Sequence, residues 1–312
     1  MKMKKTIVYG FLAVILALSM TACSKSGSSG GGGKSLNSAE ALKEYLDKQP
    51  VNSPDNPIKV AMKANEMMIK DIGEVIKNAG KYVSLDLSGS PLTEIPQMAF
   101  QDCKTLAGIT IPNSVTGIGD FAFADTKLTS VTIPNSVRSI GNGAFSYTNL
   151  TSVTIPDSVT SLAGFNYIPL TSITIPNSVT TIGEGAFAST NLTSVTIPNS
   201  VTSIGRWAFQ NCNMLAGITI PNNVTGIEDS TFYGCTSLTG VTIPDSVTNI
   251  GEFVFYGCTS LTGVTFQGTI SSSGLNEYAL SGDLRDKYLA GGIGTYTTTA
   301  PVDDWNSVWT KQ

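Results

Sequence analysis

The chain has 312 residues, 13% charged side chains, a net charge of −4 and no histidine. This balance excludes a disordered, highly charged polymer. It also excludes a nucleic-acid partner, which needs a basic stripe to displace counterions. Without histidine there is no Ser/His or Cys/His catalytic pair, and the commonest general base and metal ligand are missing.

The chain opens with Lys2, Lys4 and Lys5, then an apolar run at 7–18 that is too short to cross a bilayer. "LSMTAC" follows and ends at Cys23, with the small residues Thr21 and Ala22 before it. This resembles a bacterial lipobox and predicts a lipoprotein signal peptide over residues 1–22, with Cys23 as the lipidated first residue of an exported chain. Residues 23–34 then form the anchor and a flexible Gly/Ser tether, "SKSGSSGGGGK". Ser24 stands where an acidic residue would favour inner-membrane retention, so the expected location is the outer membrane or cell surface.

Residues 35–81 predict a small α/β N-terminal cap. Asn37 and Glu40 have the spacing of a capping box for a helix over 41–47, with Leu42, Tyr45 and Leu46 on its apolar face. Residues 57–62 alternate like a strand. Asn65 is placed to cap a second helix with Met68, Ile72, Val75, Ile76 and Ala79 on one face and Gly80 at its end. Residues 81–88 alternate again.

From residue 82 one phrase recurs, with units beginning at Tyr82, Leu106, Leu128, Leu150, Leu170, Leu192, Leu215, Leu238 and Leu261, 20 to 24 residues apart. The consensus is L-x-x-V-x-I-P-x-x-V-x-x-I-G-x-x-A-F-x-x-C/T. A period in the twenties headed by Leu predicts a leucine-rich-repeat solenoid over residues 82–270: β-rich, with short parallel strands and short helical or 3₁₀ turns. The apolar residues at places four and six of each unit face inward, the Thr at place five faces outward, and Pro at place seven ends the strand. Gly at place fourteen is read as a tight corner. Phe123, Phe145, Phe187, Phe209, Phe232 and Phe255 are expected to stack. Each coil buries about six apolar side chains at roughly 1.5–3 kcal/mol each, which offsets the ordering cost only when neighbours cover both ends. The unit at 150–169 lacks the I-G-x-x-A-F closure and predicts a local bulge with the weakest stacking of the array. Residues 271–312 predict a C-terminal cap, with a short helix near 283–289, a strand near 295–299, and Trp305 and Trp309 at the end.

The I-P-x-x-V-x-x-I-G-x-x-A-F run resembles the BspA-like leucine-rich-repeat family, over about residues 82–266. That resemblance implies a cell-surface binder whose ligand is a host extracellular-matrix, epithelial or bacterial surface protein. Departures are Glu228 for Gly, and Thr231 and Val254 for Ala. The family motif is its core and transfers no contact residues.

The candidate binding face is the outward row Thr110, Ser130, Thr132, Ser152, Thr154, Ser172, Thr174, Ser194, Thr196, Thr219, Thr242 and Thr265. Stacked about 4.7–4.9 Å apart on one sheet, these make a broad, uncharged platform. Cys212, Cys235 and Cys258 recur at 23-residue spacing without the close pairs of a zinc site. They read as packed thiols in a slot that Thr126, Thr148 and Thr190 also fill. Asp120, Asp125, Glu184, Glu228, Asp229 and Glu252 form no recurring pair of the kind glycosidases use. The sequence therefore predicts a monomeric, non-catalytic adhesion module with no metal or cofactor, attached to the membrane through its N-terminal lipid. The alternatives are an envelope spacer or a scaffold whose flanks carry an activity.

Overall fold

Each repeat wraps into one coil with three sides, and successive coils stack into a β-solenoid of about nine turns. The computed structural model describes residues 36–299, 301–302 and 305–312. The signal peptide, Cys23 and the tether lie outside the described residues.

The first side is the V-x-I segment. Strands Ile58–Ala61, Val83–Asp86 and Leu106–Thr110 pair in parallel. Strands Ser194–Thr196, Gly217–Thr219, Gly240–Ile243 and Gly263–Phe266 pair in parallel in a second sheet. Between these blocks, residues 130–133, 152–155 and 172–175 carry no strand, so the expected single sheet is split. Unit length supplies the reason. The first side pairs across units of 23 or 24 residues and does not pair across those of 22 or 20. The longer units end in C-x-x-L, a turn in which the Leu N–H donates to the Cys carbonyl: Leu106 to Cys103, Leu215 to Cys212, Leu238 to Cys235 and Leu261 to Cys258, at 2.9–3.0 Å. The shorter units reach the next Leu without that turn. In two of them the residue before Leu, or the equivalent place, donates across coils instead, Lys127 N–H to Leu106 O at 3.1 Å and Asn149 N–H to Leu128 O at 2.9 Å.

The second side is a strand column at places twelve and thirteen. Strands Glu94–Ile95, Gly117–Ile118, Ser139–Ile140, Ser161–Leu162, Thr181–Ile182 and Ser203–Ile204 form one parallel sheet that passes straight through the short coils. Between the two sides lies the P-x-x-V turn, in which the Val N–H donates to the Pro carbonyl at 3.0–3.2 Å. The Ser at place nine of these units is a coil-to-coil rung. The hydroxyls of Ser114, Ser136, Ser158, Ser178, Ser200 and Ser246 each donate to a carbonyl of the preceding coil at 2.5–2.7 Å.

The third side was expected to be a helical or 3₁₀ turn and is neither. It is a chain of turns whose N–H groups alternate in destination. Ala122 N–H donates back to Gly119 O within its own coil at 3.2 Å, whereas Phe121, Phe123 and Asp125 donate to the next coil at 2.8–2.9 Å. A helix would turn all these donors along its own axis and leave the next coil unbonded. The alternation places left-handed residues at places sixteen and twenty, among them Phe121, Asp125, Trp207 and Asn211 at φ of 54 to 57°. The Gly at place fourteen does not need left-handed φ. Its missing Cβ admits the preceding coil: a Cβ on Gly119 would lie 2.5 Å from Gln97 N, and one on Gly205 would lie 2.8 Å from Glu184 N.

Inside, Phe100, Phe123, Phe145, Phe165, Phe187, Phe209, Phe232 and Phe255 form a continuous stack with ring centroids 5.3–6.4 Å apart. The irregular coil still contributes Phe165. Its longest gap, 6.4 Å to Phe187, is the expected weak point.

At the N-terminus, helix α1 (Ala39–Asp47) is capped by Ser38, whose hydroxyl accepts from Ala41 N, rather than by Asn37. Helix α2 (Glu66–Asn78) is capped by Asn65, and it buries Ile69, Ile72, Gly73 and Ile76, with Met68, Val75 and Ala79 half-buried. α2 covers the first coil so closely that a Cβ on Gly73 would collide with Ala99 O. Tyr82 is half-exposed. Val83, which pairs with Leu106 across a bulge, takes the buried head position of the first unit.

At the other end, repeat geometry runs past residue 270. Leu275 bridges Ile250, Phe253 N–H donates to Tyr278 O at 2.9 Å, and Ala279 and Leu280 are buried in the Ala-Phe places. Helix α3 (Leu284–Gly291) follows. Strand Gly294–Thr297 then pairs antiparallel with Gly263–Phe266, and Thr310–Lys311 pairs antiparallel with it in turn. Tyr288 and Tyr296 are buried against Phe266, and Trp309 is buried as well.

Replacing Phe145 by Ala removes a ring from the middle of the stack and is expected to lower unfolding stability by about 3–5 kcal/mol. Ser158→Ala, which removes one rung, is expected to cost about 1 kcal/mol. Urea unfolding followed by circular dichroism measures both.

Candidate binding surfaces

The outward row is assembled in two different ways. Thr196, Thr219, Thr242 and Thr265 stand in strict register on the second sheet, with Ser194, Gly217, Gly240 and Gly263 in register beside them. Of these, Gly217, Thr219, Gly240, Thr242, Gly263 and Thr265, with Val195, Ile218, Val241 and Thr295, line an open, uncharged trough of about 500 Å³. Thr196, Thr219 and Thr242 are exposed. Thr265 is half-buried because its hydroxyl bonds that of Thr295 at 2.9 Å. Thr110 belongs to the separate N-terminal sheet. Ser130, Thr132, Ser152, Thr154, Ser172 and Thr174 are exposed on chain without strand pairing. The row is therefore one ordered patch of four coils at the C-terminal end and a looser remainder.

The carboxylates staple corners. Asp120 Oδ1 accepts from Asn142 N at 2.8 Å and Asp229 Oδ1 from Glu252 N at 2.9 Å. Asp229 also pairs with Arg206 at 3.3 Å, and Asp125 with Lys104 at 3.3 Å. Among the described residues no three His, Cys, Asp or Glu side chains converge as a metal site does. Sequence reasoning missed the aromatic exposure of the third side, where Phe121, Tyr147, Tyr167, Trp207 and Tyr278 are each more than a third exposed. The signal available for it was a large residue just before the Ala-Phe place, as at Phe121, Trp207 and Tyr278, or two past the Phe, as at Tyr147 and Tyr167.

A profile of BspA-type leucine-rich-repeat regions matches residues 76–164 and 161–284, in six copies. The chain belongs to the BspA-type leucine-rich-repeat family. No curated protein matches it. Among solved structures it is similar to a leucine-rich repeat protein from Bacteroides ovatus (23% identity, TM-score 0.44, 66% of this chain and 65% of that one). It is also similar to a leucine-rich cell surface protein from Faecalibacterium prausnitzii (28% identity, TM-score 0.39, 62% of this chain and 65% of that one). The chain thus spans about two thirds of the length of each. The pneumococcal vaccine antigen PcpA is similar at 24% identity and TM-score 0.40, over 60% of this chain and 55% of that one.

The BspA-type motif ends in C or T, and the structure shows what that place does. Thr126, Thr148 and Thr190 each donate to the Phe carbonyl of their own coil at 2.8–2.9 Å. In the long units the Cys N–H already occupies that carbonyl. Cys212, Cys235 and Cys258 instead donate Sγ–H to the Phe carbonyl of the preceding coil at 3.1 Å. Cys103, which has no preceding coil, donates to Gly73 of α2 at 3.2 Å. The slot therefore selects a small donor rather than any small side chain.

Burial pushes the Cys103 thiol from 9.0 up to about 12, with Lys77 nearby opposing the shift. Burial also raises Cys212 and Cys235, and the Thr190 hydroxyl opposes it at Cys212. A thiol held above its unfolded value contributes stability that is whole below that value. The contribution is lost as pH climbs from there through about 12. The chain from residue 35 onward is therefore expected to leave its thiols unmodified by a disulfide reagent at pH 8 until denaturant is added. Its melting temperature is expected to fall between pH 9 and 12.

Proposed function

We propose that this BspA-type chain is an exported, lipid-anchored surface protein that binds another protein without catalysis. The observation that carries the reading is the in-register patch Thr196, Thr219, Thr242 with Gly217, Gly240 and Gly263. It is exposed, uncharged and borne on a rigid sheet, with no long side chain to order on binding. Above Gly217 and Gly263 a Cβ would meet nothing within 4 Å, so a partner backbone can approach the sheet closely. The half-exposed apolar rim at Val131, Val153 and Ile173 and the looser Ser/Thr row extend the surface toward the roughly 800 Å² per partner of a standard interface. Partners of matching chemistry are host extracellular-matrix, epithelial or bacterial surface proteins. A catalytic role finds no support in a chain without histidine. Export and anchoring rest on the lysine-led apolar leader and "LSMTAC" ending in Cys23. The single chain is proposed to act as a monomer.

The double variant Thr219→Arg with Thr242→Arg plants two solvated cations on the patch. It is expected to weaken binding to an immobilised matrix, epithelial or bacterial surface protein at least tenfold, about 1.4 kcal/mol, with an unchanged circular dichroism melt. Undiminished binding would move the site elsewhere, and no binding by the unaltered chain to any of the three would remove the reading. Separately, Cys23→Ser is expected to shift the protein from the membrane fraction to the soluble fraction of lysed cells.

A further inference from the structure

On the third side, the irregular coil has lost its corner. Its neighbours carry Asn142-Gly143 and Glu184-Gly185 between the place-fourteen residue and Ala. In the short coil Ala163 runs directly into Gly164, which turns at φ of +94°. The phenylalanine ladder is kept: Phe145 N–H still donates to Gly164 O at 2.8 Å, and Phe165 stays in the stack, 5.4 Å from Phe145 and 6.4 Å from Phe187. The deletion opens a notch in the surface.

Place sixteen shows how the notch is framed. Reading along the coils it is Phe121, Gly143, a gap, Gly185, Trp207. The Phe121 ring lies over Gly143, where a Cβ would be 2.5 Å from the ring, while a Cβ on Gly185 would meet nothing within 4 Å. Phe121 and Trp207 are 37% and 41% exposed. Between them lies an open cleft of about 260 Å³ whose polar lining is Asp120, Asn142, Asn166, Glu184 and Gln210, with the exposed Tyr167 also lining it. The Asn166 Oδ1 atom is buried and has no hydrogen-bond partner. No cationic side chain lines the cleft. Arg206, beside Trp207, is turned to Asp229.

This lining selects a ligand chemistry. Carboxylates and amide oxygens ask for hydroxyl or N–H donors, and amide nitrogens ask for acceptors. Separated aromatic faces ask for flat C–H surface rather than a caged cation, which needs rings converging within about 6 Å. A pyranose ring presents an apolar C–H face and an edge of hydroxyls that both donate and accept. Asp120 and Glu184 repel acidic sugars. The volume lies just under the roughly 300 Å³ at which drug-sized pockets begin, so it takes one ring, and the open ends let a longer chain run out. We propose that this notch is a saccharide-binding cleft for one neutral pyranose residue of a glycan, stacked against Trp207 or Phe121 and hydrogen-bonded to Glu184 and Asp120. It stands on a different side of the coil from the threonine patch.

The test uses the intact chain on an array of neutral, amino and acidic oligosaccharides. Solution titrations of methyl hexopyranosides and of choline follow Trp fluorescence. Neutral glycans are expected to bind, with Trp207→Ala and Glu184→Gln each weakening them about tenfold or more and Trp207→Phe restoring part of the loss, all with wild-type melts. Binding of methyl hexopyranosides alone at the same fold-loss identifies a free sugar as the ligand, and binding confined to oligosaccharides identifies a glycan chain. The Thr219→Arg, Thr242→Arg variant is expected to keep this binding, which separates the two sites. No binding of any neutral sugar, preference for acidic glycans or choline, or binding unaffected by both Trp207→Ala and Glu184→Gln would overturn the proposal.

Discussion

From Phe100 to Phe232 each interior phenylalanine is fixed in two ways, and the rest of the solenoid follows from that. Its ring lies on the ring of the next coil, and its N–H donates to the next coil's carbonyl, as Phe123 does to Ala144 and Phe187 to Ala208 at 2.8 Å. To present alternate N–H groups outward in this way the chain must turn left-handed at places sixteen and twenty. It must also bring the following corner against the preceding backbone, which is why a side chain at place fourteen is excluded in most coils. Where the constraint is kept, the rest of the unit is free to vary. The chain tolerates a 20-residue coil and a 24-residue one in the same stack, because both leave the phenylalanine and its bond in place.

That tolerance explains which parts of the fold were legible in the sequence. Period, core residues, phenylalanine stack, Asn65 cap and the α3 region follow from residue type and spacing alone. The strand column at places twelve and thirteen was not visible, since two-residue strands such as Ser139–Ile140 leave no alternation to detect. The hydroxyl rungs of Ser114 to Ser246 were hidden because Ser in P-N-S-V reads first as a turn residue. The splitting of the first sheet was legible in principle: C-x-x-L against T-x-L marks it in every unit but the irregular one, which ends Ile168-Pro169-Leu170, and the difference was read as slot chemistry and not as chain length. The continued coil at 275–282 was concealed by Leu280 in a phenylalanine place.

The candidate surfaces divide in the same manner. The threonine row could be named from its period, yet its quality depends on pairing that only the longer units support. The aromatic notch could not be named at all. Its parts lie in five different units, and its defining feature is two residues that are not there. Regular positions build the frame, and the departures from regularity create the places where a ligand can be held.

The tail reverses the direction of the first-side sheet. A parallel column ends in a row of open backbone donors and acceptors, the ordinary template for adding another molecule's strand. Here the direction of the chain is reversed at Gly294–Thr297, and the new edge is only Thr310–Lys311, two residues long, with the Lys311 ammonium tied to Gly291 O at 2.6 Å. A head-to-tail contact that does not close would grow into a filament. Among the described residues the reversal replaces a four-residue edge by a two-residue charged one, a narrower template for another strand.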